Sequence, residues 1–292
     1  MSGNNNLPQK KDSAEVALQK TTSLLSITNK ILANRANRTQ LVSDVAWLDE
    51  LIAWADENNI GADKIPREME RLMQLRSITL FKSNIIKLPK EISYLSQLTE
   101  LELFNTKLTE LPREIEGLSN LTRLSINISY ITKLPKEIGK LAKLITLNLK
   151  YSNLTELPTD IGKLTQLTNI SLCGNNLTEI PKEIKQLVNL SSLDLSNNPL
   201  IVFPKVVCQL PKLTNLDLSN IKISKFPEEI GVLNKLTTFS LCDNNIIELP
   251  ESIVRLTNLT RLNISSGNPQ LFLTAEQEKW IKYCIDKGCI IK

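Results

Sequence analysis

Nine prolines stand at a strict spacing of 23 residues: Pro66, Pro89, Pro112, Pro135, Pro158, Pro181, Pro204, Pro227 and Pro250. Counting forward from each proline, positions +3, +6, +9, +12, +14, +19 and +22 are almost always apolar. In the fifth unit they are Ile161, Leu164, Leu167, Ile170, Leu172, Leu177 and Ile180. A repeat this short cannot bury its own apolar side chains, so neighbouring units must bury them for one another. The 292 residues would suffice for two ordinary domains, but one continuous stacked core is the better reading.

The period within a unit predicts its local structure. Alternation at +12 and +14 is the signature of a strand with one buried side. The stretch from the proline to +6, such as Pro135 to Leu141, is too short for a long helix. Proline at its start suits a first helical turn, where a missing N–H has no partner to lose. Each unit therefore offers one short strand and one short helical or irregular turn.

The unit P-x-E-I-G-x-L-x-x-L-T-x-L-x-L-x-x-N-x-L-T-E-L resembles the 23-residue leucine-rich repeat, over residues 65–267. The resemblance implies an α/β fold: a right-handed leucine-rich repeat solenoid, a horseshoe arc with a parallel concave sheet and short helical turns on the convex side. In that family an asparagine at +17 satisfies backbone groups of the adjoining loop. Here the position reads Ser83, Thr106, Ser129, Ser152, Asn175, Asn198, Ile221, Asn244 and Gly267. Serine and threonine hydroxyls can take over part of this work. Ile221 and Gly267 cannot, which predicts a looser ladder near Ile221.

The ends do not follow the period. Residues 1–12 read as a disordered polar tail, and residues 13–64 as an N-terminal helical cap. Helical spacing runs through Val16, Leu24, Ile27 and Ile31, then Leu41, Val45, Leu48, Leu51 and Ile52, and Trp47 and Trp54 share a helical face. Those helices could also form a separate docking element. Residues 268–292 read as a C-terminal cap, a helix followed by a strand. Thr274 to Gln277 has the pattern of a capping box, Gly288 suits the end of a helix, and Ile290 and Ile291 could add a last strand.

Composition excludes several function classes. There is no histidine, so the usual general base and the commonest metal ligand are missing. No phosphate-cradling glycine motif and no C-x-x-C occurs. Some bacterial effectors of the resembled family carry a ubiquitin-ligase domain after the repeats, and the 25 residues beyond Gly267 are too few for one. The formal net charge is +4, with lysines largely paired with glutamates after the prolines, so neither nucleic acid nor an anionic membrane is expected as partner. Five cysteines without framework spacing suggest free thiols in a reducing compartment. No signal peptide and no membrane-spanning run is visible, which leads to the expectation of a cytoplasmic monomer. Cys173 and Cys242, at +15, are expected to be small side chains facing solvent.

What the repeat leaves free is the solvent side of the strands. At +15 and +16 the first four units carry Phe81, Phe104, Ile128, Lys150 and Tyr151, whereas later units carry mostly Ser, Asn, Gly, Cys and Asp. Aromatic anchors in a polar surround are what an interface core looks like. The candidate partner-binding residues are Phe81, Phe104, Ile128 and Tyr151, with Lys150, Arg123, Glu100 and Glu102 around them. The competing expectation is that the N-terminal helices fold back over Phe81 and Phe104. Asp194 and Asp217 share +13 in neighbouring units, and calcium favours such oxygen pairs. Asp at +13 is ordinary in the resembled family, so no cofactor and no metal is expected. The leading function is a non-enzymatic protein-interaction module centred on units two to four. The alternatives are a secreted bacterial effector that captures a host protein and, more remotely, an enzyme using the face carboxylates or a cysteine.

Overall fold

The computed structural model describes residues 38–292 apart from 201 and 265, with side chains from Ala46 onward. The expectations for the tail and for the helical spacing before Arg38 lie outside the described residues. Contacts divide the chain after Ala46, and the unit from Trp47 to Lys292 holds all the repeats.

Every repeat contributes one strand to a single parallel sheet. The strands are β1 (Ser77–Phe81), β2 (Glu100–Phe104), β3 (Arg123–Asn127), β4 (Thr146–Asn148), β5 (Asn169–Ser171), β6 (Ser192–Asp194), β7 (Asn215–Asp217), β8 (Thr238–Ser240) and β9 (Arg261–Asn263). A tenth, β10 (Ile290–Ile291), follows the repeats. They lie side by side in chain order. Register is uniform: Leu101 faces Leu124, Leu147 faces Ile170, and Leu193 faces Leu216. Strand residues alternate between buried and accessible, with +12 and +14 in the core. A one-residue slip would turn every one of these side chains to solvent, which is why the pairing is well specified.

On the opposite side, eight of the nine prolines open a five-residue 3-10 turn, from Lys90–Tyr94 to Glu251–Arg255. The proline sits one residue earlier than the sequence suggests. It is the N-cap, with extended ψ near 150° at Pro89, and its carbonyl accepts from the Ile92 N–H. The first unit instead holds a short α-helix, α2 (Met69–Met73).

Both ends of the stack are closed by helix. Helix α1 (Arg38–Glu57) sends Trp47, Leu48, Leu51 and Ala55 into the core. Trp47 stacks on Tyr94 with ring centroids 4.8 Å apart, and the Trp54 indole N–H donates to the Lys87 carbonyl at 3.0 Å. At the far end, helix α3 (Ala275–Asp286) has the expected capping box between Thr274 and Gln277. It buries Trp280 and Cys284, and Gly288 takes φ 86° after it. β10 then pairs with β9.

Between strand and turn, backbone polar groups are satisfied by side chains at +17. The Asn175, Asn198 and Asn244 amides each donate to the +14 carbonyls of their own and the preceding unit, at 2.7–3.0 Å. Their oxygens accept an N–H of the preceding unit. In the N-terminal half the hydroxyl substitutes do less. Ser129 and Ser152 bond each other at 2.8 Å, while the buried Ser83 and Thr106 hydroxyls find no partner among the described residues. Ile221 is fully buried and contributes no rung, as expected.

Gly267 supplies no rung, as expected, yet the ninth unit does not lack one. The ninth unit slips by one residue after its strand: Gly267 takes the left-handed conformation at φ 73°, and Asn268 supplies the rung. The isolated bridge from Glu248 to Phe272, rather than to residue 271, shows the same slip. Asn244→Ala should lower stability by about 2–4 kcal/mol, because several buried backbone groups lose their partner. Ser129→Ala should cost about 1 kcal/mol. Urea unfolding followed by far-UV circular dichroism separates the two.

Candidate functional site

The apolar candidates and Lys150 lie along the edge where each strand gives way to its loop, whereas Glu100 and Arg123 open their strands and Glu102 sits mid-strand. Phe81 and Phe104 are register partners on β1 and β2. Their ring centroids are 6.2 Å apart at 60°, a tilted contact favourable to aromatic quadrupoles. They are 62% and 39% exposed, so the described helices do not cover them. At the other end of the strands, Arg123 reaches Glu100, four residues before Phe104, with Nε to Oε1 at 3.9 Å. Glu102 sits between Thr79 and Ser125 in the register. Ile128 and Tyr151 follow in units three and four, 40% and 58% exposed.

The backbone at +16 is left-handed in eight consecutive units. The residues are Lys82, Asn105, Ile128, Tyr151, Gly174, Asn197, Asn220 and Asp243, with φ between 49° and 69°. Glycine, asparagine and aspartate tolerate this region. Ile128 at 55° is β-branched and Tyr151 at 51° is bulky. Such residues cost on the order of 1–3 kcal/mol there and persist only where the surroundings hold them. Sequence reasoning missed this constraint, although Gly, Asn or Asp at +16 in five units was its signal.

Tyr151 lies flat on the next unit because Gly174 has no side chain. A Cβ built there would stand 2.4 Å from Tyr151 Cδ1 and 2.8 Å from Cε1. The nearby Cys173 thiol is the main cause of a rise in the Tyr151 hydroxyl pKa. Cys173 is accordingly only 6% exposed, which corrects the expectation that it faces solvent. The Asn197 amide approaches its Sγ at 3.6 Å from the other side. Cys242 is half-buried.

Lys150 crosses the fifth unit toward the sixth, with Nζ 3.9 Å from Asp194 Oδ2. Asp194 is otherwise occupied by Ser171, by Ser196 Oγ and by the Ser196 N–H, at 2.6–3.1 Å. Asp217 is its register partner. Burial, opposed by hydrogen bonds from Ser219, raises the Asp217 carboxyl above its ordinary value. The two carboxylates thus lie within an internally bonded array, and no group of three or more potential metal ligands occurs among the described residues. Burial pushes the Cys208 thiol up to about 12 and raises Cys242, Cys284 and Cys289, the reverse of nucleophile activation. A threonine and serine ladder at +10, each hydroxyl bonding the carbonyl one unit back, also went unread in the sequence; Thr214 and Thr260 are examples.

The leucine-rich repeat family model matches residues 119–177 and 165–223. Among solved structures, a leucine-rich repeat protein of Leptospira interrogans is 33% identical, with a TM-score of 0.61 over 76% of this chain. The chain spans 62% of the length of that protein. The leucine-rich repeat domain of the type III effector XopL is 26% identical, with a TM-score of 0.66 over 92% of this chain and 94% of its own. The plant peptide hormone receptor RGFR1, solved in complex with RGF2, is 28% identical, with a TM-score of 0.61 over 78% of this chain and 41% of the receptor. No curated protein matches the chain.

Ile128→Asn should raise stability by about 0.5–1 kcal/mol, since asparagine relieves the left-handed strain. Gly174→Ala should lower it by about 1–3 kcal/mol, through positive φ and the clash with Tyr151. Thermal unfolding of both variants checks the signs. The raised Asp217 carboxyl binds its proton more tightly folded than unfolded. Its contribution to stability is therefore lost as pH rises from the ordinary carboxylate value through the raised one. Asp217→Asn should be more stable than wild type at pH 7, with the difference vanishing near pH 3, as read by urea midpoints at the two pH values.

Proposed function

Because the chain is a leucine-rich repeat protein, we propose that it is a non-enzymatic interaction module that binds a protein partner through the exposed face of its sheet, centred on units two to four. The observation that carries this reading is the row Phe81, Phe104, Ile128 and Tyr151. It exposes four large apolar side chains in adjacent units, and two of them occupy a backbone conformation that suits them poorly. Such strain at exposed positions is a marker of function rather than of stability. Arg123, Glu100, Glu102 and Lys150 form the polar surround that an interface core requires.

The mechanism is preorganisation. Side chains on paired strands are already fixed in relative position, so little conformational freedom is lost when a partner docks. The free thiols are shielded or raised in pKa, and the face carboxylates are engaged with neighbours, which favours recognition over catalysis. The likeness to RGFR1, solved with RGF2, supports a peptide or protein as partner.

The likeness to the XopL repeat domain over 92% of this chain favours a second reading, a bacterial effector that captures a host protein. On that reading, deleting residues 1–15 abolishes delivery of a reporter fusion into host cells; unimpaired delivery sinks it.

The binding reading is tested by affinity capture with wild type and a Phe104→Ala/Tyr151→Ala variant, followed by calorimetric titration of the captured protein. Each substitution should weaken binding by about 1–3 kcal/mol. Ile128→Asn should weaken binding while the fold becomes more stable. A partner held with unchanged affinity by both variants places the interface elsewhere.

A further inference from the structure

Units six and seven depart from the repeat at several points on a different surface, the loop edge that leads into the 3-10 turns. Position +21 is otherwise charged in every unit from the first to the eighth: Lys87, Glu110, Lys133, Glu156, Glu179, Lys225 and Glu248. Neighbours in this row pair, Lys87 with Glu110 at 2.7 Å and Lys133 with Glu156 at 2.8 Å. Unit six breaks it with Val202, 69% exposed. Position +22 is leucine or isoleucine elsewhere in those units but Phe203 and Phe226 here, and the two rings meet edge to face at 5.4 Å. In the same place the asparagine rung is replaced by Ile221, and Lys222 takes a left-handed φ of 59°, a second such residue within one unit.

These changes alter the lining of the groove between successive turns: between units six and seven it is a depression of about 400 Å³, lined by Val202, Phe203, Ile223 and Phe226 and rimmed by Lys205, Lys222 and Lys225, whereas between units two and three Glu110, Arg113 and Lys133 line the equivalent groove. Two of the acids nearby are engaged. Glu229 pairs with Lys205 at 3.2 Å, and Glu228 accepts the N–H groups of Glu251 and Ser252 at 2.9–3.0 Å. Lys222 and Lys225 are exposed, and neither has a carboxylate within 4.0 Å among the described residues.

We infer that this depression is a docking site, separate from the sheet face, for an acidic peptide segment that seats an aliphatic or aromatic side chain against Val202, Phe203 and Phe226. An apolar floor selects an anchor side chain. The two lysines supply the complementary charge that orients an acidic flank and speeds encounter. A polyanion such as single-stranded nucleic acid fits less well, because those two lysines beside an apolar floor make no basic stripe along which a phosphate backbone could run.

The probe is a fluorescein-labelled hexapeptide with a Leu-Phe centre flanked by two glutamates on each side, titrated by anisotropy with the full chain. Saturable binding to wild type is expected. It should weaken about tenfold or more in Lys222→Glu/Lys225→Glu, and similarly in Val202→Asp, since about 1.4 kcal/mol is tenfold. Lys225→Glu alone, which leaves the left-handed residue untouched, should weaken it several-fold and guards against a folding defect in the double variant. Phe104→Ala/Tyr151→Ala should leave the peptide affinity unchanged, so the outcome is independent of the sheet-face reading. Absence of binding to wild type, equal affinity for wild type and the lysine variants, or full displacement by a single-stranded oligonucleotide at equal concentration would each overturn the inference.

Discussion

Everything in this molecule hangs on how each strand ends. After +15 the backbone must turn sharply out of the sheet and down to the other side of the stack, and it does so through a left-handed residue at +16. That turn strands the +14 carbonyls and a neighbouring N–H away from water, where an unpaired group costs on the order of 1–3 kcal/mol. The +17 side chain closes the gap by bonding two units at once. Lateral stacking of apolar side chains drives the repeats together, but the turn and its polar rung decide whether a unit can repeat without orphaned groups. The ninth unit makes the point: its turn slips by one residue, and the rung slips with it from Gly267 to Asn268.

The same turn sets the chemistry of the exposed edge. A residue at +16 points off a fixed backbone at the rim of the sheet, so its identity is free of core packing but not of backbone preference. Units five to eight satisfy that preference with Gly174, Asn197, Asn220 and Asp243, and the Asn197 and Asn220 amides bond each other at 2.8 Å. Units three and four set it aside with Ile128 and Tyr151. Gly174 then has two tasks, its own left-handed turn and room for the Tyr151 ring. A stable half and a strained, apolar half thus sit side by side on one sheet, which is the usual relation between stability and recognition.

Irregularity is concentrated where the period is poorest. The loop edge of units six and seven loses a rung, one charge of the +21 row and two leucines or isoleucines, and gains an edge-to-face phenylalanine pair beside two lysines that have no carboxylate within 4.0 Å among the described residues. A repeat tolerates such changes because each unit touches only its neighbours, so a local departure is not propagated along the stack.

Legibility in the chain differs by level. The 23-residue spacing of the prolines and the alternation at +12 and +14 determined a stack of units with one short, one-side-buried strand each, and the parallel sheet followed from the resemblance of that unit to the leucine-rich repeat. Thr274 and Gln277 announced the capping box of α3, because that motif is local. Fates set by neighbours one unit away were not legible. Nothing in the local sequence told that Cys173 would be buried; Tyr151 and Asn197 bury it from either side, 22 and 24 residues distant. Nor did the proline count reveal the slip at Gly267, which appears only when Asn268 is seen under Ile246. Which side chains face inward is a matter of period and solvent, and both are written in the order of the residues. Which outward side chains are covered, strained or left open was settled only by folding, because it depends on contacts between units whose spacing is spatial rather than sequential.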